Sequence, residues 1–584
     1  MKKNKITSIL IVLSVLFSAC ESILAPADEN LQTLDDIYED PAFAEGLLVN
    51  AYTRLPNNYY SFNDVATDDA VTNDKFNDYL EMATGQWSAF FNPVSQWDNS
   101  YTAIMYLNKF LEESAKVEWS YTSDTANILF NDRLMGEAYA LRGIFMFYLL
   151  QSHGGYGSDG QLLGVPIINE SLEADADFNR PRDTFEACVQ QIFSDLNKAE
   201  EFLPLDYIDV ADKSELPARY QIYSVEVYNR VFGEIYKLRV SGRIAKAMKA
   251  KTALLAASDA YRDGTSIKWD DAANYAAELI KLNGGATRLD NTGHIFYKPA
   301  QVGRINLSSG RDQAEMIWRS SVEGTGSTNR EADNFPPSLY GNGRINPTQN
   351  LVDAFPMANG YPINDSRSGF DPIKPYDGRD NRLKEYILYN KGIIGASTIS
   401  TSNGSGDDAV GAIKTSTRTG YYMKKLLRED VNLNPAATTA QQHNTSKIRY
   451  TEIYLIYAEA ANEAWGPDGA DPHGFTAKDV ITAIRKRAGI KQPDEYLNSI
   501  NSKEAMRELI RNERRLELCF EGFRFWDLRR WKANLNEPAK GVKIDGSNYA
   551  VSSVENRNYS DYMYYGPLPY GEVLKFGFIQ NQGW

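Results

Sequence analysis

Helical hydrophobic periodicity recurs along both ends of this chain, and it constrains the fold more than any other feature. After Asp40-Pro41, the residues Phe43, Leu47, Leu48 and Tyr52 fall at helical spacing. The same spacing recurs in Gln96–Glu113 (Trp97, Tyr101, Ile104, Leu107, Leu111), from about Asn131 to Gln151, and in Thr184–Phe202, Ala245–Tyr261 and Asp270–Leu282. It returns in Lys447–Trp465, Ala477–Ala488 and Lys503–Phe520. One such helix cannot bury its own apolar stripe, so consecutive helices joined by short turns must cover one another. No strict sequence period is present. The pattern predicts a mainly α fold, a tetratricopeptide-like helical repeat scaffold of divergent units. Between residues 286 and 444 Gly, Ser, Asn and Pro break the period, leaving only short strand-like pieces such as Met316–Arg319 and Tyr421–Met423. The expected organisation is therefore a helical part over 41–285, a loop-rich, strand-poor part over 286–444, and a helical part with a loop-like aromatic tail over 445–584.

The first residues read as an export signal. Three lysines, an apolar run from Ile6 to Phe17 and small residues before Cys20 describe residues 1–19 as a signal peptide, too short to span a membrane. Leu16-Phe17-Ser18-Ala19-Cys20 has the form of a bacterial lipobox, with phenylalanine where leucine is commoner, and predicts lipidation at Cys20. The plainer alternative is an ordinary signal peptide with a cysteine nearby. Inserted acyl chains would contribute ~0.8 kcal/mol per buried methylene. Residues 20–40 are then a polar leash, with Glu21 next to the cysteine and Asp28 and Glu29 further on. Without residues 1–19 and their three lysines, 59 basic face 77 acidic residues, a net charge of −18. That argues against nucleic acid and against electrostatic adhesion to anionic lipid. Cys188 and Cys519 lie far apart in helical contexts; two buried thiols or one bridge are both open. The four histidines have no paired ligand spacing, so neither a metal nor a cofactor is expected. Gly154-Gly155-Tyr156-Gly157 follows a helix and reads as its stop, not as a phosphate loop, and no G-x-S-x-G string occurs.

One block carries an unusual mixture. Between Glu508 and Trp531, charges at Glu513, Arg514, Arg515, Glu517, Glu521, Arg524, Asp527 and Arg529 sit among Leu, Phe and Trp. Charges in apolar surroundings are costly unless paired, which predicts an internal ion-pair lattice. The alternative is a glycosidase with two carboxylates drawn from Glu508, Glu513, Glu517 and Asp527, about 5–9.5 Å apart across a cleft. The neighbouring arginines argue against it, because they lower a carboxylate pKa where a general acid needs a raised one.

Four ordered segments resemble the SusD/RagB family, the surface glycan-binding lipoproteins of Bacteroidetes. They are Glu137–Leu149 with the following glycine turn and Gly164-Val165-Pro166; Ile448–Ala460 with Asn462-Glu463; Asn512–Leu518 continuing to Glu521–Trp531; and Pro567-Leu568-Pro569 leading to Gln580–Trp584. Pro347–Phe355 and Asp380–Leu383 also match. The resemblance implies a SusD-like fold whose loops form a shallow glycan platform. It also implies docking on a SusC-type TonB-dependent transporter, with the protein held by lipid at the outer face of the outer membrane. Relatives of the RagB type imply peptides as an alternative ligand, and a purely structural scaffold is the third reading.

The family has no fixed binding motif, so candidate residues follow from chemistry. Tyr, Phe and Trp make up 12% of the chain, more than helix packing requires, and an aromatic face suits the C–H face of a sugar ring. The irregular stretch 55–95 offers Asp68, Asp69, Asn73 and Asp74 for hydroxyl groups and Trp87 as a stacking surface, whereas Trp97 belongs to a helical stripe and is expected in the core. A second source is the stretch from Trp318 to Arg344, with Phe335, Tyr340 and Asn342. One or two aromatics with a few hydroxyl contacts would give roughly −5 to −6.5 kcal/mol, on the order of tens to hundreds of micromolar.

Overall fold

A computed structural model describes residues 38, 40–56, 62–172, 176, 179–305, 312–322, 324–469 and 472–584. The expected signal, Cys20 and nearly all of the expected leash lie outside the described residues. Eleven helices carry the scaffold: α1 (Pro41–Arg54), α2 (Trp97–Glu113), α3 (Asp124–His153), α4 (Phe185–Phe202), α5 (Val225–Phe232), α6 (Gly242–Ala257), α7 (Trp269–Leu282), α8 (Tyr450–Trp465), α9 (Ala477–Arg487), α10 (Lys503–Leu518) and α11 (Arg524–Arg530). Most start at a side-chain cap: Asp40, Ser123, Thr184, Ser241 and Ser502 each accept from a backbone N–H of the first turn, and Thr476 forms a reciprocal box with Asp479. The helices pack in series, α1 on α2, α2 on α3, α3 on α4, α4 on α6, α6 on α7 and α7 on α8. Helix α8 then lies against both α9 and α10. This is the stacked scaffold that the periodicity predicts.

Three differences from the sequence reading have physical causes. Helix α3 begins at Asp124, seven residues early, because Ser123 supplies its cap. Helix α8 begins at Tyr450 because Ser446–Arg449 (β4) pairs antiparallel with Met316–Arg319 (β2). The tail is not all loop: Ala539–Asp545 (β5) and Asn548–Glu555 (β6) form a hairpin, turning at Gly546 (φ +59°) and Ser547. Among the described residues no sheet exceeds two strands. None of the described helices is long and apolar enough to cross a membrane.

Helices α10 and α11 tie the molecule together. Met506, Leu509, Ile510 and Leu518 join the helical core, Leu516, Cys519 and Phe520 join the core of the loop-rich part, and Phe525 and Leu528 join a third cluster. The lattice expected around them is present. Glu513 accepts from Arg382 (2.9 Å) and Arg485 (2.8 Å), and Glu517 from Arg382 (3.1 Å) and Arg487 (2.9 Å). Asp527 pairs with Arg514 (2.7 Å) and Arg530 (2.9 Å). Burial pushes the Glu513 and Glu517 carboxyls up, but the surrounding arginines outweigh it and hold both below the usual range. Both are fully enclosed, so they flank no cleft. Trp97 is 5% exposed, in the core as expected. Cys188 and Cys519 are buried free thiols, each pushed up to about 12 by burial.

Candidate functional site

A three-residue ladder brings together two stretches that are far apart in sequence. Ala70–Thr72 (β1) pairs antiparallel with Ile345–Pro347 (β3), with Thr72 opposite Ile345. The turns that extend from this ladder, 73–77 and 336–344, therefore lie side by side. Asn73 Nδ2 donates to the carbonyls of Asn342 (2.9 Å), Gly343 (2.9 Å) and Thr415 (3.0 Å), binding three loops with one amide. Arg344 Nη1 lies 3.5 Å from Asp74 Oδ2, and Asp74 Oδ1 accepts from the Phe76 N–H at 3.2 Å. Gly343 takes φ +54°, and a Cβ there would meet the Thr415 carbonyl at 2.6 Å, so this crossing needs glycine.

The second turn is stiff. Pro336 and Pro337 open it, and Tyr340 closes it in the left-handed region at φ +64°, its N–H donating to the Pro337 carbonyl at 2.9 Å. Ser338 donates its N–H (2.9 Å) and hydroxyl (2.5 Å) to Asp408. Tyr340 is 59% exposed and Phe76, across the Asn73 clamp, is 87% exposed. Two exposed rings thus stand on the same adjoining turns that carry the half-buried Asp74–Arg344 pair. Such an arrangement can stack on sugar faces and exchange hydrogen bonds with hydroxyl groups.

The other predicted residues do different work. Trp87 is 3% exposed, which corrects its assignment as a stacking surface. The helical turn Met82–Gln86 ends at Gly85 (φ +111°) and folds the indole inward. There it meets Phe525, Tyr559 and Trp584 edge-on, donates from Nε1 to Asn92 Oδ1 at 3.0 Å, and lies 5.4 Å from the buried Arg529 guanidinium. Trp318 is also enclosed (4% exposed), because its ring joins the helical core and its Nε1 donates to the Leu238 carbonyl at 3.1 Å. Phe335 is buried. Asp68 and Asp69 are buried ion-pair members, not hydroxyl ligands: Arg524 forks onto Asp68 (2.9 Å twice), and Arg515 reaches Asp68 (2.9 Å) and Asp69 (2.6 Å). Burial pushes the Asp68 carboxyl up, but the two arginines hold it well below the usual range, while burial raises that of Asp69. Asn73 and Asn342 do meet at the exposed edge, as clamp and carbonyl acceptor. Sequence reasoning missed Phe76, although its signal is present. Asn73-Asp74-Lys75-Phe76-Asn77-Asp78 isolates one large apolar residue among five polar ones, which leaves it no core to enter.

Comparison with known proteins agrees with this architecture. A family model described as the SusD family matches residues 314–584, and one described as "starch-binding associating with outer membrane" matches residues 32–224. A SusD-like protein of Formosa agariphila is 23% identical over 91% of this chain and 92% of its own length. A SusD-like protein of Bacteroides fragilis NCTC 9343 has a solved structure that superposes with a TM-score of 0.72 at 25% identity, covering 96% of this chain and all of that one. A SusD-like carbohydrate binding protein of the same strain gives a TM-score of 0.68 at 21% identity, covering 92% of this chain and 98% of that one. With residues 32–224 and 314–584 matched by two SusD-type models, the chain is SusD-like over both its N-terminal helices and its entire C-terminal part.

Proposed function

We propose that this protein captures an oligosaccharide or polysaccharide at the cell surface and passes it, uncleaved, to a SusC-type TonB-dependent transporter. The observation that carries the reading is the exposed edge at Phe76 and Tyr340, two rings on the turns that carry Asp74 and Arg344 and that Asn73 locks together. Likeness to SusD-type proteins, among them a SusD-like carbohydrate binding protein, supports the ligand class. The description "associating with outer membrane" supports the place, with lipid on Cys20 as the tether. The carboxylates support binding without cleavage: Glu513 and Glu517 are enclosed and held below the usual range by arginines, the opposite of what a general acid needs, and Asp527 is paired with Arg514 and Arg530.

Affinity electrophoresis and calorimetry across a panel of neutral and acidic glycans test the reading. At least one glycan should bind on the order of tens to hundreds of micromolar. Phe76→Ala and Tyr340→Ala should each weaken that binding about tenfold, roughly 1.4 kcal/mol. Absence of binding across the panel, or release of reducing sugar by the isolated protein, would overturn it. Cys20→Ala should release the protein from the membrane fraction, and unchanged surface labelling would contradict the tether.

A further inference from the structure

A second concavity, about 230 Å³ and half open to solvent, shares no residue with the exposed edge. Its wall comes from the end of α3, the middle of α6, the start of α8, the segments 93–96 and 444–447, and the α10–α11 corner. The volume is below the roughly 300–1,000 Å³ of drug-sized sites, which limits an occupant to about one sugar ring. Trp526 and Phe523 supply apolar wall.

The charges on this wall balance except at one residue. Lys251 Nζ pairs with Glu452 at 2.6 Å; Arg514 and Arg530 share Asp527, and Arg530 also holds Glu459 (2.6 Å); Glu521 is matched by Lys425 (2.6 Å) and by Arg449 (2.8 Å), which also holds Glu315 (2.8 Å). Lys447 has no carboxylate partner among the described residues. Its ammonium makes one long contact, 3.4 Å to the Pro56 carbonyl, and lies 5.5 Å over the Trp318 ring, while burial pushes its pKa down. A half-buried cation without a counter-ion is costly, and an anion seated beside it would remove that cost. The wall also carries spare hydrogen-bonding capacity. Gln96, Gln151, Tyr79 and Tyr148 line the same space; among the described residues Gln96 and Tyr79 bond through their backbone N–H, which leaves the amide and phenol ends to a ligand. Glu452 Oε2, enclosed in the same wall, has no partner either.

We propose that this cavity is a binding site for a single hexuronate, a sugar ring bearing one carboxylate. The carboxylate pairs with Lys447, the hydroxyl groups take up the free amide and phenol groups of Gln96, Gln151 and Tyr79, and the ring lies against Trp526. One negative charge matches the one uncompensated positive charge, and several hydroxyl groups match the several unpaired polar ends. A fatty or aromatic acid would satisfy only the first of these features, and a neutral sugar only the second. This assignment does not rest on the exposed edge being a glycan platform.

Calorimetric titration of the purified protein with D-glucuronate and D-galacturonate, each against its neutral methyl ester, tests the site. At least one acid should bind at least tenfold more tightly than its ester. Lys447→Met should bring the acid down to the ester's affinity, while Tyr340→Ala should leave both unchanged, which separates this site from the surface edge. Equal affinity for acid and ester, no binding of either uronate, or a loss caused by Tyr340→Ala would overturn the proposal. If Lys447→Met does not fold, the acid-to-ester ratio of the unmodified protein decides alone.

Discussion

Tyr340 holds a backbone conformation that a bulky residue seldom adopts, in a turn fixed by two prolines and by Asp408. The left-handed region costs a non-glycine residue about 1–2 kcal/mol, while glycine costs roughly 0.5–1 kcal/mol in lost chain entropy, so the two nearly cancel. Tyr340→Gly should therefore leave stability within about 1 kcal/mol of the original while lowering glycan affinity about tenfold. A variant that keeps full affinity by calorimetry would remove Tyr340 from the platform. Trp87→Ala should do the reverse, because the indole fills a core. Denaturant titration should show a loss of about 3–5 kcal/mol, with binding retained by the folded fraction. His153 adds a pH dependence. It is fully buried, with Nδ1–H donating to the Pro567 carbonyl at 2.7 Å and Nε2 accepting from the Gln96 N–H at 3.3 Å. Burial lowers its pKa to about 4, and that of His294 likewise to about 4. Between the unfolded value near 6.5 and 4, the unfolded chain binds protons that the native state refuses. Stability should thus fall as pH drops through that window, by at most about 1.4 kcal/mol per pH unit for each histidine. Urea midpoints flat from pH 7 to 4 would contradict this.

At the scale of elements, α10 is held by charge as much as by its apolar stripe. Glu517→Gln leaves Arg382 and Arg487 short of a counter-charge inside the protein, and it should cost about 3–5 kcal/mol in equilibrium unfolding. A loss below 1 kcal/mol would mean that the lattice fixes geometry without supporting stability. This lattice was legible in the sequence because so many charges among Phe, Trp and Leu have only one tolerable arrangement. The long helices were legible for a similar reason, each needing a neighbour for its stripe. The short elements were not. The β5–β6 hairpin is visible as Val542 and Ile544 alternating with polar residues before Asp545-Gly546, but the aromatic tail around it masks the period. Partners distant in sequence were also hidden. Nothing near Asp68 announces Arg515 and Arg524, so two carboxylates in a polar run read as free. Irregular backbone suggested exposure for Trp87, yet one turn ending at Gly85 buries it. Of the candidate edge, Asn73, Tyr340 and Asn342 were readable from turn chemistry, and Phe76 was overlooked.

Over the whole molecule, three hydrophobic clusters share one continuous segment, residues 503–530. Opening any one of them displaces that segment from the other two. Scanning calorimetry should accordingly show a single transition for the helical stack and the loop-rich part, despite a length at which separate unfolding of parts is common. Two resolved transitions, with the hairpin and loops melting first, would refute the coupling.

The β1–β3 ladder has a consequence for the order of events during synthesis. It joins residue 72 to residue 345, so the edge with Phe76 and Tyr340 is written in two instalments separated by most of the helical stack. A growing chain that has only entered the loop-rich part, short of residue 342, already holds α1 to α7, yet Asn73 still lacks the carbonyls it clamps. Such an unfinished chain has a scaffold and no receptor. Competence for ligand arrives late and all at once, so a truncated or stalled product cannot occupy sugar that the finished protein is meant to collect.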